Sequence, residues 1–184
     1  LCYSVIDGKA CRTGGWGHRI GDEGSGYWIG KHIAKAIFRA ADGRNEKTAL
    51  TELVLQGHKV TSTDELYNFI YSSDYTNARL AELGSYLQQA VDQKDAVAQK
   101  IAERAAKELV LLVTTALKNA GYQNEAHTLF LNGGVLKNNR CLYDVIIDSL
   151  NKTHPNITIH LCEEKPLEAI FNRGVNELQH IQLN

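Results

Sequence analysis

The sequence predicts an α/β fold in which a long helical segment separates two groups of short strands. The chain opens with the pattern of a β-hairpin, and after residue 126 it alternates strand, helix, strand and helix through tight loops. Such alternation is the signature of parallel strand pairing. Between these two parts, over about residues 45–120, apolar residues recur with the helical period. We therefore expect a mixed sheet flanked by long helices, with a helical insertion.

The composition is that of a globular protein. Of the 184 residues, 43% are hydrophobic and 22% are charged, which is enough apolar material for a substantial core. The net charge of −1 and the lack of a basic tract disfavour nucleic acid and anionic membranes as partners. No apolar run approaches the roughly 18 residues that a membrane span needs. We therefore expect a cytoplasmic protein that binds neither nucleic acid nor a membrane.

The cysteines and histidines show no pattern of a metal site. Four cysteines are widely spaced without a Cys-x-x-Cys pair, and this is typical of buried free thiols in a reducing compartment. Cys2 and Cys11 flank the predicted hairpin, so a disulfide between them stays open as an alternative. The seven histidines lack the spacing of metal ligands, and we assign no metal site to them.

The first elements are a hairpin and a helix. Leu1–Ile6 is rich in β-branched and aromatic residues, Asp7-Gly8 is a typical two-residue hairpin turn, and Lys9–Thr13 is the expected returning strand. A glycine-rich stretch follows. Isoleucines then recur every four residues and predict a helix over about Ser25–Ala41, which Asp42-Gly43 ends.

The helical segment contains four predicted helices whose apolar faces indicate packing against a core. They cover about Asn45–Leu55, Thr63–Tyr71, Asn77–Val91 and Asp95–Ala120. Gly121 follows the longest helix at the position where a glycine commonly ends one.

The last part of the chain returns to strands. Its predicted elements are strand His127–Asn132, loop Gly133-Gly134, helix Asn139–Leu150, strand Ile157–Leu161 and a final helix from Pro166 to about Leu178. The Gly-Gly loop joins the carboxyl end of a strand to the next helix, where open α/β sheets bind ligands. The amino terminus of that helix is suited to an anion or a heteroatom.

The candidate site is the stretch from Gly14 to Lys31, Gly-Gly-Trp-Gly-His-Arg-Ile-Gly-Asp-Glu-Gly-Ser-Gly-Tyr-Trp-Ile-Gly-Lys. Glycines at this density allow close approach of another group. A tryptophan ring offers an apolar wall, and the adjacent carboxylates accept hydrogen bonds from hydroxyls, so the stretch suits a polyhydroxylated ligand. The alternative is structural, with Asp22, Glu23 and Ser25 capping the next helix and Trp16 in the core. Capping alone leaves the four preceding glycines unexplained.

Gly-Gly-Trp-Gly followed by Gly-Asp-Glu-Gly-Ser-Gly-Tyr-Trp-Ile-Gly resembles the signature of the BadF/BadG/BcrA/BcrD ATPase family. Within that family it is most similar to the N-acetylglucosamine kinase branch of the sugar kinase/Hsp70/actin superfamily. The resemblance implies a ribonuclease-H-like (actin-like ATPase) domain. It also implies that residues 1–184 form the carboxy-terminal domain of a longer protein, without the amino-terminal domain and the first strand of this one. A chain with no methionine that begins Leu-Cys-Tyr fits that expectation, and the absent strand should leave a gap in the sheet.

The resemblance implies contacts with a sugar. Gly15, Trp16 and Asp22 match family positions that line the sugar pocket, and the Asp22 carboxylate would accept hydrogen bonds from sugar hydroxyls.

The resemblance also implies contacts with a nucleotide. The Gly133-Gly134 loop matches the adenosine motif, Gly134 and Asn138 match positions beside the adenosine, and Ala81 aligns with the helix start that the family lays against the base. By the sequence pattern alone, Ala81 is an ordinary helix residue.

The function implied by the resemblance is that of an ATP-dependent sugar kinase of amino sugar metabolism, which phosphorylates N-acetylglucosamine or a related amino sugar with ATP and Mg²⁺. No residue of this chain matches the family's general base or phosphate loop, so we assign no catalytic residue and no metal ligand. We expect the chain alone to be inactive and to need the amino-terminal domain as its partner. An ATPase activator of a reductase or dehydratase and a non-catalytic sugar- or nucleotide-binding regulator remain alternatives. The identity of the sugar and the oligomeric state, including a homodimer, stay open.

Overall fold

The computed structural model describes residues 1–6 and 8–162. Its strands are β1 (Cys2–Ile6), β2 (Lys9–Thr13), β3 (His127–Leu131) and β4 (Ile157–Leu161). Its helices are α1 (Gly26–Ala41), α2 (Ala49–Gly57), α3 (Thr63–Ile70), α4 (Asn77–Glu82), α5 (Leu87–Asp92), α6 (Ala96–Ala120), α7 (Gly134–Asn138) and α8 (Arg140–Thr153), with a 3-10 turn at Leu83–Tyr86. The helix predicted from Pro166 lies outside the described residues.

The strands form two pairs. β1 and β2 are antiparallel with Ile6 opposite Lys9, as the predicted two-residue turn requires. β3 and β4 are parallel with His127 opposite Ile157 and are connected through α7 and α8, so the predicted βαβ unit is confirmed. Within residues 1–6 and 8–162 no backbone pairing joins the two sheets. The antiparallel and the parallel pair expected of the mixed sheet are both present, but as two separate two-stranded sheets.

Helix α6 is the centre of the packing. It contacts β1 and β2 on one side, α8 on another, and also α1 and α5. Its small buried residues, such as Ala102, Ala105 and Ala106, let these neighbours approach closely. α1 turns the fully buried side chains of Ile29, Ile33 and Ile37 to the same core. Burial of three such side chains stabilises the fold by about 5–9 kcal/mol relative to leaving them exposed.

Two of the predicted helices differ from the structure. The helix predicted from Asn45 begins at Ala49, because Thr48 caps it and binds the Asp95 carboxylate across the chain. The helix predicted over Asn77–Val91 is divided into α4, the 3-10 turn and α5. Its middle lies tightly against α1, since a methyl group on Gly84 would stand 3.3 Å from the Gly26 carbonyl oxygen. Periodicity does not report such an approach.

The predictions for the other helices between residues 25 and 121 are confirmed. α1, α3 and α6 lie within one or two residues of their predicted bounds, and residues 45–120, all of them described, contain helices and no strand. Gly121 ends α6 in the left-handed conformation. In the described part of the chain no helix is long and apolar enough to cross a membrane.

Candidate functional site

A cleft of about 630 Å³ lies between the two sheets. Its sides are the exposed edges of β1 and β3, and its floor is the carboxyl half of α6, through apolar residues such as Leu112 and Val113. At one end the wall becomes polar. The loop before α1 contributes Asp22 to Gly26, and the loop after β3 contributes Asn132 to Gly134. The two sequence motifs, more than a hundred residues apart, therefore meet at one end of the same cleft.

The hydrogen bonds at the start of α1 show which residue caps the helix, and so which of the two interpretations applies to Asp22. The helix is capped by Ser25, whose hydroxyl accepts a hydrogen bond from the Trp28 amide at 3.1 Å. Only the backbone of Asp22 takes part in the turn, through its carbonyl and the Ser25 amide. Within the described residues the Asp22 carboxylate has no hydrogen-bond or ion-pair partner. The capping interpretation thus holds for Ser25, whereas Asp22 lines the cleft and its carboxylate is unpaired within the described residues.

The other two predicted sugar-side residues lie at the rim. The Gly15 carbonyl accepts a hydrogen bond from the Arg12 guanidinium at 2.6 Å, and a methyl group on Gly15 would stand 2.9 Å from the Leu1 side chain, which lines the cleft. Trp16 is 69% exposed, so the alternative that places it in the core is wrong. The Arg12 guanidinium lies 5.4 Å from the centre of its ring. Trp16 lies next to Gly15 in the chain, but it does not line the cleft itself.

Ala81, one of the predicted nucleotide-side residues, lies beside Gly26, the first residue of α1. A methyl group on Gly26 would lie 3.5 Å from the Ala81 methyl and 3.6 Å from the Val135 side chain. Val135 directly follows Gly134, so α4, α1 and the loop after β3 meet at this point. The absence of a side chain on Gly26 leaves room there. Ala81, an ordinary helix residue by its sequence pattern, is half-buried beside this room.

The loop after β3 has a backbone that only glycine adopts readily. Gly133 has φ 119° and ψ 153°, and its amide donates to the Asn132 side chain at 2.7 Å. Gly134 and Asn138 are one helical turn apart, and a methyl on Gly134 would stand 3.8 Å from the Asn138 amide nitrogen. Gly133, Gly134 and Asn138 are therefore neighbours, and the two glycines line the cleft.

The helix predicted over Asn139–Leu150 is confirmed as α8, but the loop does not lead directly into it. Gly134–Asn138 forms a short helix of its own between the loop and α8. Buried Asn139 interrupts the two, with its amide bonded to the Val135 carbonyl. The dipole of a five-residue helix is small, so the argument that a long helix dipole receives an anion here does not apply.

Three residues at the cleft were given no role by the sequence analysis. Asn132 lines the polar end, Gly26 leaves the space beside Ala81, and Cys2 lines the apolar side. The signal for Asn132 was its position directly after a strand, and for Gly26 its place inside the glycine-rich stretch. All four cysteines are free thiols, so the Cys2–Cys11 disulfide is not formed. Burial raises the pKa of the Cys2 and Cys141 thiols, which favours their neutral form.

A family profile matches most of this chain. The profile described as "BadF/BadG/BcrA/BcrD ATPase family" matches residues 1–164. Among curated relatives, the chain is 39% identical over 160 residues to the N-acetylmuramic acid/N-acetylglucosamine kinase of Clostridium acetobutylicum. That match covers 86% of this chain and 52% of the relative. It is 28% identical over 155 residues to the N-acetyl-D-glucosamine kinase of Dictyostelium discoideum, covering 83% of this chain and 49% of the relative.

Solved structures show the same fold. A putative N-acetylglucosamine kinase of Chromobacterium violaceum superposes with a TM-score of 0.62 at 25% identity, over 83% of this chain and 48% of that one. A putative N-acetylglucosamine kinase of Porphyromonas gingivalis superposes with a TM-score of 0.57 at 18% identity, over 85% and 49%. The predicted ribonuclease-H-like (actin-like ATPase) fold is confirmed. The chain spans about half the length of the relatives it matches.

Proposed function

The chain belongs to the BadF/BadG/BcrA/BcrD ATPase family, and we propose that it forms part of an ATP-dependent kinase that phosphorylates N-acetylglucosamine or a related amino sugar. The observation that carries the proposal is the free carboxylate of Asp22 at the same end of the cleft as the Gly133-Gly134 loop. The names of the curated relatives support the class of substrate.

The sugar-side role belongs to Asp22. Its carboxylate accepts no hydrogen bond from the described residues, and a carboxylate can accept hydrogen bonds from several hydroxyls at once. Gly15 packs beside Leu1, which lines the cleft, and the exposed ring of the neighbouring Trp16 suits the apolar face of a sugar ring.

The nucleotide-side role belongs to Gly133, Gly134, Asn138 and Ala81. The bare backbone at Gly133-Gly134 admits a close ligand, and the Asn138 amide lies one turn away to donate or accept a hydrogen bond. The small side chain of Ala81 opposite Gly26 leaves a flat apolar wall for a base.

The reaction also needs groups that we do not assign to this chain. Phosphoryl transfer depends on positioning and on stabilisation of charge around the γ-phosphate, with Mg²⁺ bridging phosphate oxygens and a base receiving the proton of the attacking hydroxyl. We propose that the base, the phosphate loop and the Mg²⁺ environment come from an amino-terminal domain, and that the 184-residue chain alone has no kinase activity.

A coupled assay of ADP release tests the proposal. It is run with MgATP on the chain and, side by side, on the intact gene product, with N-acetylglucosamine, N-acetylmuramic acid or no sugar. We expect sugar-dependent release from the intact gene product and none from the chain. Release that is independent of sugar overturns the kinase and favours the ATPase activator, whereas no release in any mixture favours the non-catalytic regulator. Sugar-dependent release by the chain alone contradicts the two-domain argument.

A further inference from the structure

A second cavity lies between α1 and α6, away from the cleft. It has a volume of about 720 Å³ and is closed at one end by the loop that follows α1. Four long basic side chains line it: Lys35 and Arg39 come from α1, and Lys100 and Arg104 come from α6. We call these four residues with their cavity the basic pocket. It shares no lining residue with the cleft between the sheets.

The cations of the basic pocket have no direct ion-pair partner among the described residues, although the charge of Arg39, after the hydrogen bonds from Arg44, helps to lower the pKa of the nearby Asp42 carboxyl. None of the four side chains forms an ion pair with a described carboxylate. Arg44 also lines the cavity, but its guanidinium is bound to Asp42. Glu46 is the carboxylate in the lining, and it is exposed and makes no ion pair there. Like charges gathered around a concave surface repel one another, so this arrangement carries an electrostatic cost that an anion would remove.

Two aromatic residues, His32 and Trp28, lie beside these cations. His32 lines the same cavity, its ring is stacked on Trp28 at 3.7 Å, and its Nδ1 lies 2.8 Å from the Trp28 carbonyl oxygen. The Arg104 guanidinium lies over the Trp28 ring, 5.5 Å from its centre. Burial is the main cause that lowers the pKa of His32; the hydrogen bond with the Trp28 carbonyl opposes it, and the charges of Arg104, Lys35 and Lys31 add to the lowering.

We propose that the basic pocket binds a small molecule that carries a phosphate group. The Arg39 Nε donates to the Asn45 side-chain oxygen at 3.1 Å, which leaves its terminal N–H groups for a ligand. These groups and the Arg104 guanidinium, from the two helices, match phosphate oxygens, and the two lysines add mobile point charges. The volume is that of a small-molecule site. An extended polyanion fits less well, because the whole chain has a net charge of −1 and the cations are gathered in one concavity.

Helix α1 connects the basic pocket with the cleft. Lys35 is nine residues along α1 from Gly26, which corresponds to roughly 13 Å. The same helix thus begins at the cleft and passes the basic pocket. The proposal does not depend on the function proposed above, since it concerns binding at other residues.

The test is a calorimetric titration of the 184-residue chain with inorganic phosphate, pyrophosphate, glucose 6-phosphate and AMP. The decisive variant is Lys35→Gln/Lys100→Gln, which removes two exposed charges of the pocket. The matched control is Lys107→Gln/Lys118→Gln, which removes two exposed charges of α6 outside it. We expect at least one of the four probes to bind, with affinity reduced about tenfold or more by the pocket variant and less than twofold by the control. Whichever probe binds most tightly identifies the source of the phosphate.

The tryptophans locate the bound anion. In ¹⁵N-labelled chain, the indole signals of Trp28 and Trp16 are assigned with Trp16→Phe, and the best-binding probe is titrated. We expect the Trp28 signal to move and the Trp16 signal to stay, because Arg104 lies over the Trp28 ring. The proposal is overturned if no probe binds, if pocket and control variants lose affinity equally, or if only Trp16 responds.

Discussion

Replacing the Asp22 side chain tests whether the loop before α1 binds a ligand or only caps the helix. We expect Asp22→Asn in the intact gene product to weaken amino-sugar binding about tenfold to hundredfold, the worth of one hydrogen bond to a charged group. Its melting temperature should stay close to that of the parent, because the carboxylate has no partner within the described residues. Calorimetric titration with N-acetylglucosamine and a thermal scan measure the two effects.

The control for this variant is Ser25→Ala. The Ser25 hydroxyl caps α1, so its loss should lower the free energy of unfolding by about 1 kcal/mol and leave sugar affinity nearly unchanged. If Asp22→Asn instead lowers stability and keeps sugar affinity, Asp22 is structural and its assignment to the sugar fails.

Two histidines make the stability of the chain dependent on pH. Burial lowers the pKa of both His32 and His58, and Nε2 of His58 is buried without a hydrogen-bond partner among the described residues. The unfolded chain then takes up protons first, at its ordinary pKa of about 6.5, so the free energy of unfolding should be level above that pH and fall as the pH drops towards 5.

Urea denaturation at pH 8, 6.5 and 5 checks this expectation. His58→Phe keeps a ring between Phe69 and Tyr86 but removes the proton site, so it should flatten the fall between pH 6.5 and 5. Stability that rises on acidification, or a fall of unchanged size in the variant, would refute the assignment.

At the scale of elements, α1 and α4 approach so closely that only glycine fits. A methyl group on Gly30 would overlap the carbonyl oxygen of Leu80. We expect Gly30→Ala to destabilise the fold by about 1–3 kcal/mol, despite the gain of about 1 kcal/mol in helix propensity. Gly26→Ala is the control on the same helix, since its methyl meets Ala81 at an ordinary 3.5 Å. Equal stability of the two variants in urea denaturation would contradict the close approach.

Asp95 connects the starts of two helices. Its carboxylate accepts hydrogen bonds from the Ala98 amide at 2.7 Å, the Ala49 amide at 2.8 Å and the Thr48 hydroxyl at 3.0 Å. Asp95→Ala removes all three acceptors at once, so we expect a loss of about 2–3 kcal/mol in the free energy of unfolding.

Asp92→Ala is the comparison for Asp95, because Asp92 is exposed and accepts a bond only from the Gln88 side chain among the described residues. It should change stability by less than about 0.5 kcal/mol. A loss at Asp95 that is no larger than the loss at Asp92 would show that the helix starts are independent.

The elements were predictable where local chemistry decides their ends. Ser25, Asp95 and Gly121 bound α1 and α6 at the positions that their side chains or backbone favour in any protein. The start of α2 and the break at Leu83–Tyr86 were not predictable, because they arise from contacts with Asp95 and with α1 that no local window contains.

At the scale of the whole molecule, the site could be predicted in its parts but not in its shape. The glycine-rich stretch and the Gly133-Gly134 loop carry local signatures, so both were found. Their meeting at one cleft depends on how α6 supports both sheets, and the room at Gly26 depends on the distant Ala81 and Val135. The basic pocket had no local signature, since its cations come singly from two helices.

The central claim is that phosphate passes from ATP to an amino sugar at this cleft. Mass spectrometry of the sugar after incubation with γ-¹⁸O-labelled ATP, Mg²⁺ and the intact gene product tests it most directly, with the Asp22→Asn variant alongside. We predict a labelled sugar phosphate from the parent protein and much less of it from the variant at limiting sugar. Labelled inorganic phosphate as the sole product, in the presence of N-acetylglucosamine and N-acetylmuramic acid, would contradict the account.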